Sequence, residues 1–183
     1  MTEEDSACSQ CGFCLAQIGT AYGRLPVFKA MVTDPERMLS HRQAGKLRRA
    51  IKRFVRLFPQ ARFHVALMPV AREIPLAAYA FWSFNGANLC SSLYKGGLNF
   101  HMLLLMDSEH GRANLSVGYG LEPFLSEEML REMVAPGAPL LKAGAYGEAA
   151  LAILEETSRR LYAQSEAIPA IFGLRRKPRQ EGW

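Results

Sequence analysis

The chain has 183 residues, 49% of them hydrophobic, with a formal net charge of +5 at pH 7. This is the size and apolar content of one globular domain with a sizeable core. No apolar run approaches the ~18 residues of a membrane span. The acidic, polar start MTEEDSACSQC lacks the basic opening and apolar stretch of a secretory signal, so a cytoplasmic location is expected.

Charge is unevenly spread. Arg37 to Arg72 holds ten Lys or Arg and no acid, whereas Asp107 to Glu132 holds six acids and two bases. Such a basic run is commonly a solvated helix face, and its functional reading is a contact for an acidic protein partner or an anionic surface.

Residues 1–24 form a cysteine-containing arm with Cys8, Cys11 and Cys14 in the pattern C-x-x-C-x-x-C. In a reducing cytosol, cysteines packed this closely suggest metal before disulfide. Thiolates are soft, anionic ligands for Zn²⁺ or an iron–sulfur cluster. The fourth zinc ligand would be Cys90, one of His41, His64, His101 and His110, or water. The ferredoxin pattern, which continues to a fourth Cys followed by Pro, is incomplete here. Free thiols, or disulfide exchange between Cys8 and Cys11, are the remaining readings.

Val27 to Val32 is expected as a short edge strand, ended by a turn at Asp34-Pro35. Ser40-His41-Arg42-Gln43 has the form of a capping box. It predicts a helix from His41 to Leu57, with Leu47, Ile51, Phe54, Val55 and Phe58 on its apolar stripe and Pro59 as the stop. No aromatic residues interleave its cationic face as stacking platforms, so no specific nucleic-acid binding is expected. Arg62 to Val70 reads as a buried strand, and Pro75 opens a second, aromatic-rich helix. Asn85 to Asn99 is a long loop carrying Cys90 and Lys95.

The apolar run His101 to Met106, the polar turn DSEHGR and the run Ala113 to Val117 predict a β-hairpin. Its first strand, apolar at nearly every position, suits burial on both faces and so requires helices on both sides of the sheet. Ser126 should cap a third helix with Glu127 and Glu128 in its first turn. Pro136, Gly137 and Pro139 are expected to break it. A last helix should run from Tyr146 to Ala163, followed by a basic C-terminal tail over 165–183.

The stretch MLLLMDSEHGRANLSVGYGLEPFLSEEMLREM resembles a TPM domain, the family named for thylakoid lumen, photosystem repair and receptor-modulator proteins. The shared pattern is a buried strand, an acidic turn ending in Arg, a strand closing on G-Y-G-L-E, and a helix. The segment Asp34-Pro35 to Leu39-Ser40 and the aromatic helix with Trp82 match it upstream, and the Gly144 to Gly147 step matches downstream. The resemblance implies a TPM-like domain over 25–164. Its fold would be α/β, a three-layer α/β/α sandwich around a small mixed four-stranded sheet.

Some members of the family resemble acid phosphatases in activity, some bind Ca²⁺ or related ions, and others serve in membrane-protein maintenance or receptor assembly. By position, the resemblance points to Asp107 and Arg112 as catalytic candidates. Asp107 and Glu122 would hold a divalent ion such as Ca²⁺ or Mg²⁺. Two departures favour a non-catalytic reading. The N-G step before the buried strand is replaced by Gly97-Leu98-Asn99, and four residues separate Asp107 from Arg112. The expected function is therefore a metal-binding interaction or scaffold module, with a divalent-metal-dependent hydrolase of acid-phosphatase type as the alternative.

Overall fold

The structure is a computed structural model and describes residues 22–28, 30–86 and 100–167, with side chains in the last helix through Gln164. It is α/β, with helices on both faces of a four-stranded mixed sheet. The chain runs β1 (Val32–Thr33), α1 (His41–Leu57), β2 (Arg62–Met68), α2 (Leu76–Gly86), β3 (His101–Asp107) and β4 (Arg112–Val117). It continues as α3 (Glu127–Val134), the short α4 (Ala138–Lys142) and α5 (Tyr146–Ala167), with 3-10 turns at Glu122–Phe124 and Ala135–Gly137.

The sheet order is β1-β2-β3-β4. β1 pairs parallel with β2 and β2 parallel with β3, while β3 and β4 form the antiparallel hairpin. The expected edge strand is shorter and later than its sequence span. Only Val32 and Thr33 find partners, Val65 and Ala66, before Asp34 turns the chain. Asp34 does so by accepting from the amides of Met38 (3.0 Å) and Leu39 (2.8 Å).

Residues 102–107 of β3 are all buried, as its apolar run required. Alternation divides them between two cores. Met102, Leu104 and Met106 face one core with Leu47, Ile51 and Phe54 of α1 and Ile153, Leu154 and Leu161 of α5. Leu103 and Leu105 face the other with Tyr79, Ala80 and Phe84 of α2. In the first core Phe54 meets Phe58 and Phe63 at ring-centroid distances of 5.0 and 5.3 Å. Each such ring contributes ~1.5–3 kcal/mol by leaving water.

The capping box forms as the sequence requires. The Ser40 Oγ accepts from the Gln43 amide and the Gln43 side chain accepts from the Ser40 amide, fixing the start of α1. Pro136 and Pro139 act differently from the breaks expected of them. Each sits in the first turn of a new helical segment, where its missing N–H has no carbonyl to serve. The last helix continues past Ala163 to Ala167. Among the described residues no helix is long and apolar enough to cross a membrane.

Candidate functional site

The hairpin turn brings Asp107, His110 and Arg112 together. Asp107 ends β3 and Arg112 opens β4 as its cross-strand partner. Between them Gly111, at φ +59°, reverses the chain, and its amide donates to the Asp107 carbonyl at 3.2 Å. The turn is held from two sides. Ser108 Oγ donates to Glu36 Oε2 at 3.2 Å, and the Tyr146 hydroxyl donates to the Ser108 carbonyl at 2.5 Å.

The Asp107 side chain is fully buried and fully engaged. Oδ1 accepts from the amides of Val70 (3.2 Å), Glu109 (3.0 Å) and His110 (3.4 Å). Oδ2 meets His110 Nδ1 at 2.9 Å, Arg112 Nε at 2.8 Å and Arg112 Nη2 at 2.7 Å. Burial alone pushes the carboxyl pKa up. The Arg112 guanidinium, the Glu109 and Val70 amides and His110 outweigh it and hold the group below its usual value. Since a carboxylate offers about four lone-pair sites, six donors leave it no acceptor capacity for a cation.

Arg112 is equally committed. Beyond Asp107, its Nη1 faces the carbonyls of Arg72 (3.5 Å) and Ile74 (3.4 Å), and its Nη2 those of Val70 (3.1 Å) and Ala71 (3.3 Å). The pair thus pins the β2–α2 loop to the hairpin. Every guanidinium nitrogen already faces a protein acceptor.

Glu122 lies elsewhere. It follows β4, whose Val117 pairs with Met102 at the start of β3, whereas Asp107 ends that strand. The two carboxylates stand at opposite ends of the hairpin, separated by about 15–20 Å of strand. Glu122 is exposed on the 3-10 turn and lines a groove along β4. Among the described residues no group of three or more His, Cys, Asp or Glu side chains is arranged to hold a metal ion. Cys8, Cys11, Cys14 and Cys90 lie outside the described residues.

Two further features stand out, of which the sequence signalled only the second. His64 and His101 stack with centroids 5.6 Å apart and planes at 11°. Strand alternation puts both on the α2 face. Burial, with smaller contributions from His64 and Arg62, lowers the His101 pKa to about 4. Burial likewise lowers that of His64, against a weaker opposing contact with the Ala30 backbone. The second feature is a groove of about 410 Å³ lined by Lys46, Arg49, Lys52, Arg53 and Arg56 of α1 with Leu151 of α5. Among the described residues no acid pairs with these five cations. The acid-free run Arg37 to Arg72 was the sequence signal for it.

Residues 32–160 match the family model of the TPM domain. No curated protein matches the chain. Among solved structures, the chain is similar to the BA42 protein of the psychrophilic bacterium Bizionia argentinensis, with a TM-score of 0.61 at 14% identity over 72% of this chain and 86% of that one. It is also similar to an N-terminal domain from P. gingivalis, with a TM-score of 0.58 at 20% identity over 80% and 87%. A third likeness is the N-terminal domain of cg2496 from Corynebacterium glutamicum, with a TM-score of 0.55 at 13% identity over 75% and 84%. At these identities the likeness is one of fold.

Proposed function

The chain belongs to the TPM-domain family, and we propose that within it this protein is a non-catalytic interaction module of the cytosol. Its α1 face receives an acidic protein partner, and Cys8, Cys11 and Cys14 hold a zinc ion. The observation that carries this reading is the unopposed charge of α1. Five cations line one groove, and none of them forms an ion pair with an acid among the described residues. Like charges three and four residues apart cost a helix a few tenths of a kcal/mol per pair, and an acidic partner would offset that cost.

The zinc arm rests on the thiolate spacing and on where the chain enters the domain. Tyr22 packs on Tyr79 and Trp82 of α2, with centroids 5.9 and 5.5 Å apart. The arm therefore joins the domain on the face that carries His64 and His101. Cys90, or one of these imidazoles, would complete a four-coordinate site. The competing reading, divalent-metal hydrolysis at Asp107, requires a carboxylate holding six donors to release some of them.

Three measurements test the proposal. Purified protein should carry one zinc per chain, lost in Cys11→Ser. Binding of a polyglutamate peptide should weaken with salt and fall at least tenfold in Arg49→Glu/Arg53→Glu. Hydrolysis of a phosphomonoester that is stimulated by Mg²⁺ or Ca²⁺ and lost in a folded Asp107→Asn variant would overturn it in favour of the hydrolase.

A further inference from the structure

β4 ends the sheet, and among the described residues no strand pairs with its outer edge. The Gly118 amide donates to the His101 carbonyl at 2.9 Å. Hydrogen-bonded pairs alternate along an antiparallel ladder, so Leu103–Ser116 and Leu105–Asn114 are the bonded pairs that follow. The N–H and C=O groups of Ala113, Leu115 and Val117 therefore point away from β3.

They point into a groove of about 430 Å³. Ala77 and Phe81 of α2 form one wall, and Leu130 and Val134 of α3 the other. Phe81 is 61% exposed while Leu115 on the floor is 4% exposed. Natural edge strands are blunted by charge, proline, a bulge or a cover. The sequence Ala113 to Val117 carries neither a charged residue nor a proline. Outward backbone groups between apolar walls can be satisfied by one extended segment.

We propose that the segment 168–183 of this chain occupies the groove, laying a strand of its apolar first half along β4. Helix α5 delivers it there. Gln164 Nε2 lies 3.9 Å from Met129 Sδ, and Arg160 forms an ion pair with Glu132, so the end of α5 packs on α3. Ala167 is three residues beyond Gln164, a rise of ~4.5 Å. From there seven extended residues reach ~23 Å, enough to follow the six residues of β4.

The composition fits in order. Ile168, Ile171, Phe172 and Leu174 come first, matching the apolar walls, and Arg175, Arg176 and Lys177 follow.

Amide hydrogen exchange tests this in the full chain, in a chain ending at Ala167, and in full-length Phe172→Asp. The amides of Ala113, Leu115 and Val117 should exchange at least tenfold faster in both altered chains. Those of Asn114 and Ser116, bonded to β3, should keep their rates and report an intact sheet. Equal rates for Ala113, Leu115 and Val117 in all three proteins would overturn the proposal. Protection that grows with protein concentration would also overturn it, by putting the segment of a second copy in the groove.

Discussion

Asp107 and Arg112 face each other in the last register pair of the hairpin, and their side chains meet at 2.7 Å with the carboxylate wholly buried. Because the same guanidinium holds four carbonyls of the 70–74 segment, the pair is the joint between the hairpin and the β2–α2 loop. Asp107→Ala should destabilise the domain by roughly 3–5 kcal/mol, the usual cost of leaving one member of a buried ion pair alone. Arg112→Ala should cost a similar amount, since it leaves the wholly buried Asp107 carboxylate without its cation, held only by the Val70, Glu109 and His110 amides and the His110 ring. Urea unfolding of the two variants decides it, and a loss below 1 kcal/mol for Asp107→Ala would contradict this structural role.

The hairpin was legible in the sequence because its determinants are local: a continuous apolar run, a turn with Gly111, and a second short run. The limits of α1 were legible for the same reason, with a cap at Ser40, an apolar stripe at helical spacing, and Pro59. What Asp107 does was not legible. Its partner amide at Val70 lies 37 residues away and comes near only once β2 and β3 pair in parallel. The same pairing stacks His64 on His101. The prolines at 136 and 139 were legible as punctuation, but the sequence does not say whether a proline closes one helix or opens the next.

Gly111 and Gly144 both have positive φ, at +59° and +71°, but their surroundings differ. A Cβ on Gly111 would lie 3.1 Å from the Leu141 carbonyl oxygen, whereas one on Gly144 would meet nothing within 4 Å. Gly144→Ala should cost only the left-handed backbone penalty of ~1–2 kcal/mol. Gly111→Ala should cost more, because the contact is with backbone of α4 that cannot rotate aside. Melting temperatures of the pair test this, and equal losses would mean that the hairpin turn shifts freely against α4.

The histidine stack makes stability depend on pH. With a folded pKa of about 4 against 6.5 for the free side chain, His101 binds its proton less readily in the folded chain. Its contribution is therefore complete above about pH 6.5 and is lost as pH falls from there toward 4. His64, shifted in the same direction, adds to the same limb. Asp107 is also depressed, so its contribution is present above the usual carboxylate value and lost only as pH falls through its lower folded value. Unfolding free energies from urea titrations should therefore decline between pH 6.5 and 4 by less than the ~1.4 kcal/mol per pH unit of a full proton for each partly exposed ring. In His64→Phe/His101→Phe that decline should flatten while the loss at lower pH remains. An unchanged slope in the double variant would assign the decline to other groups.

Gln43 links the first turn of α1 to the first turn of α5. Its side chain completes the cap with Ser40, and its Nε2 reaches Glu148 Oε2 at 3.3 Å. A Cβ on Gly147 would lie 3.0 Å from Gln43 Cγ. Gly147 lies in the first turn of α5, where alanine is intrinsically favoured by at most the ~1 kcal/mol of a helix interior. In the native chain that gain should be offset, because the new methyl displaces Gln43 from the cap, and a lost cap costs about 0.5–2 kcal/mol. Once Gln43→Ala has removed Cγ and the amide there is no cap left to displace, and only the Cβ of residue 43, 3.1 Å from the new methyl, still crowds it, so Gly147→Ala should be better tolerated. The two substitutions should therefore couple favourably by about 1 kcal/mol in a double-mutant cycle. Additive effects would show that Gln43 can turn away from Gly147 while still capping α1.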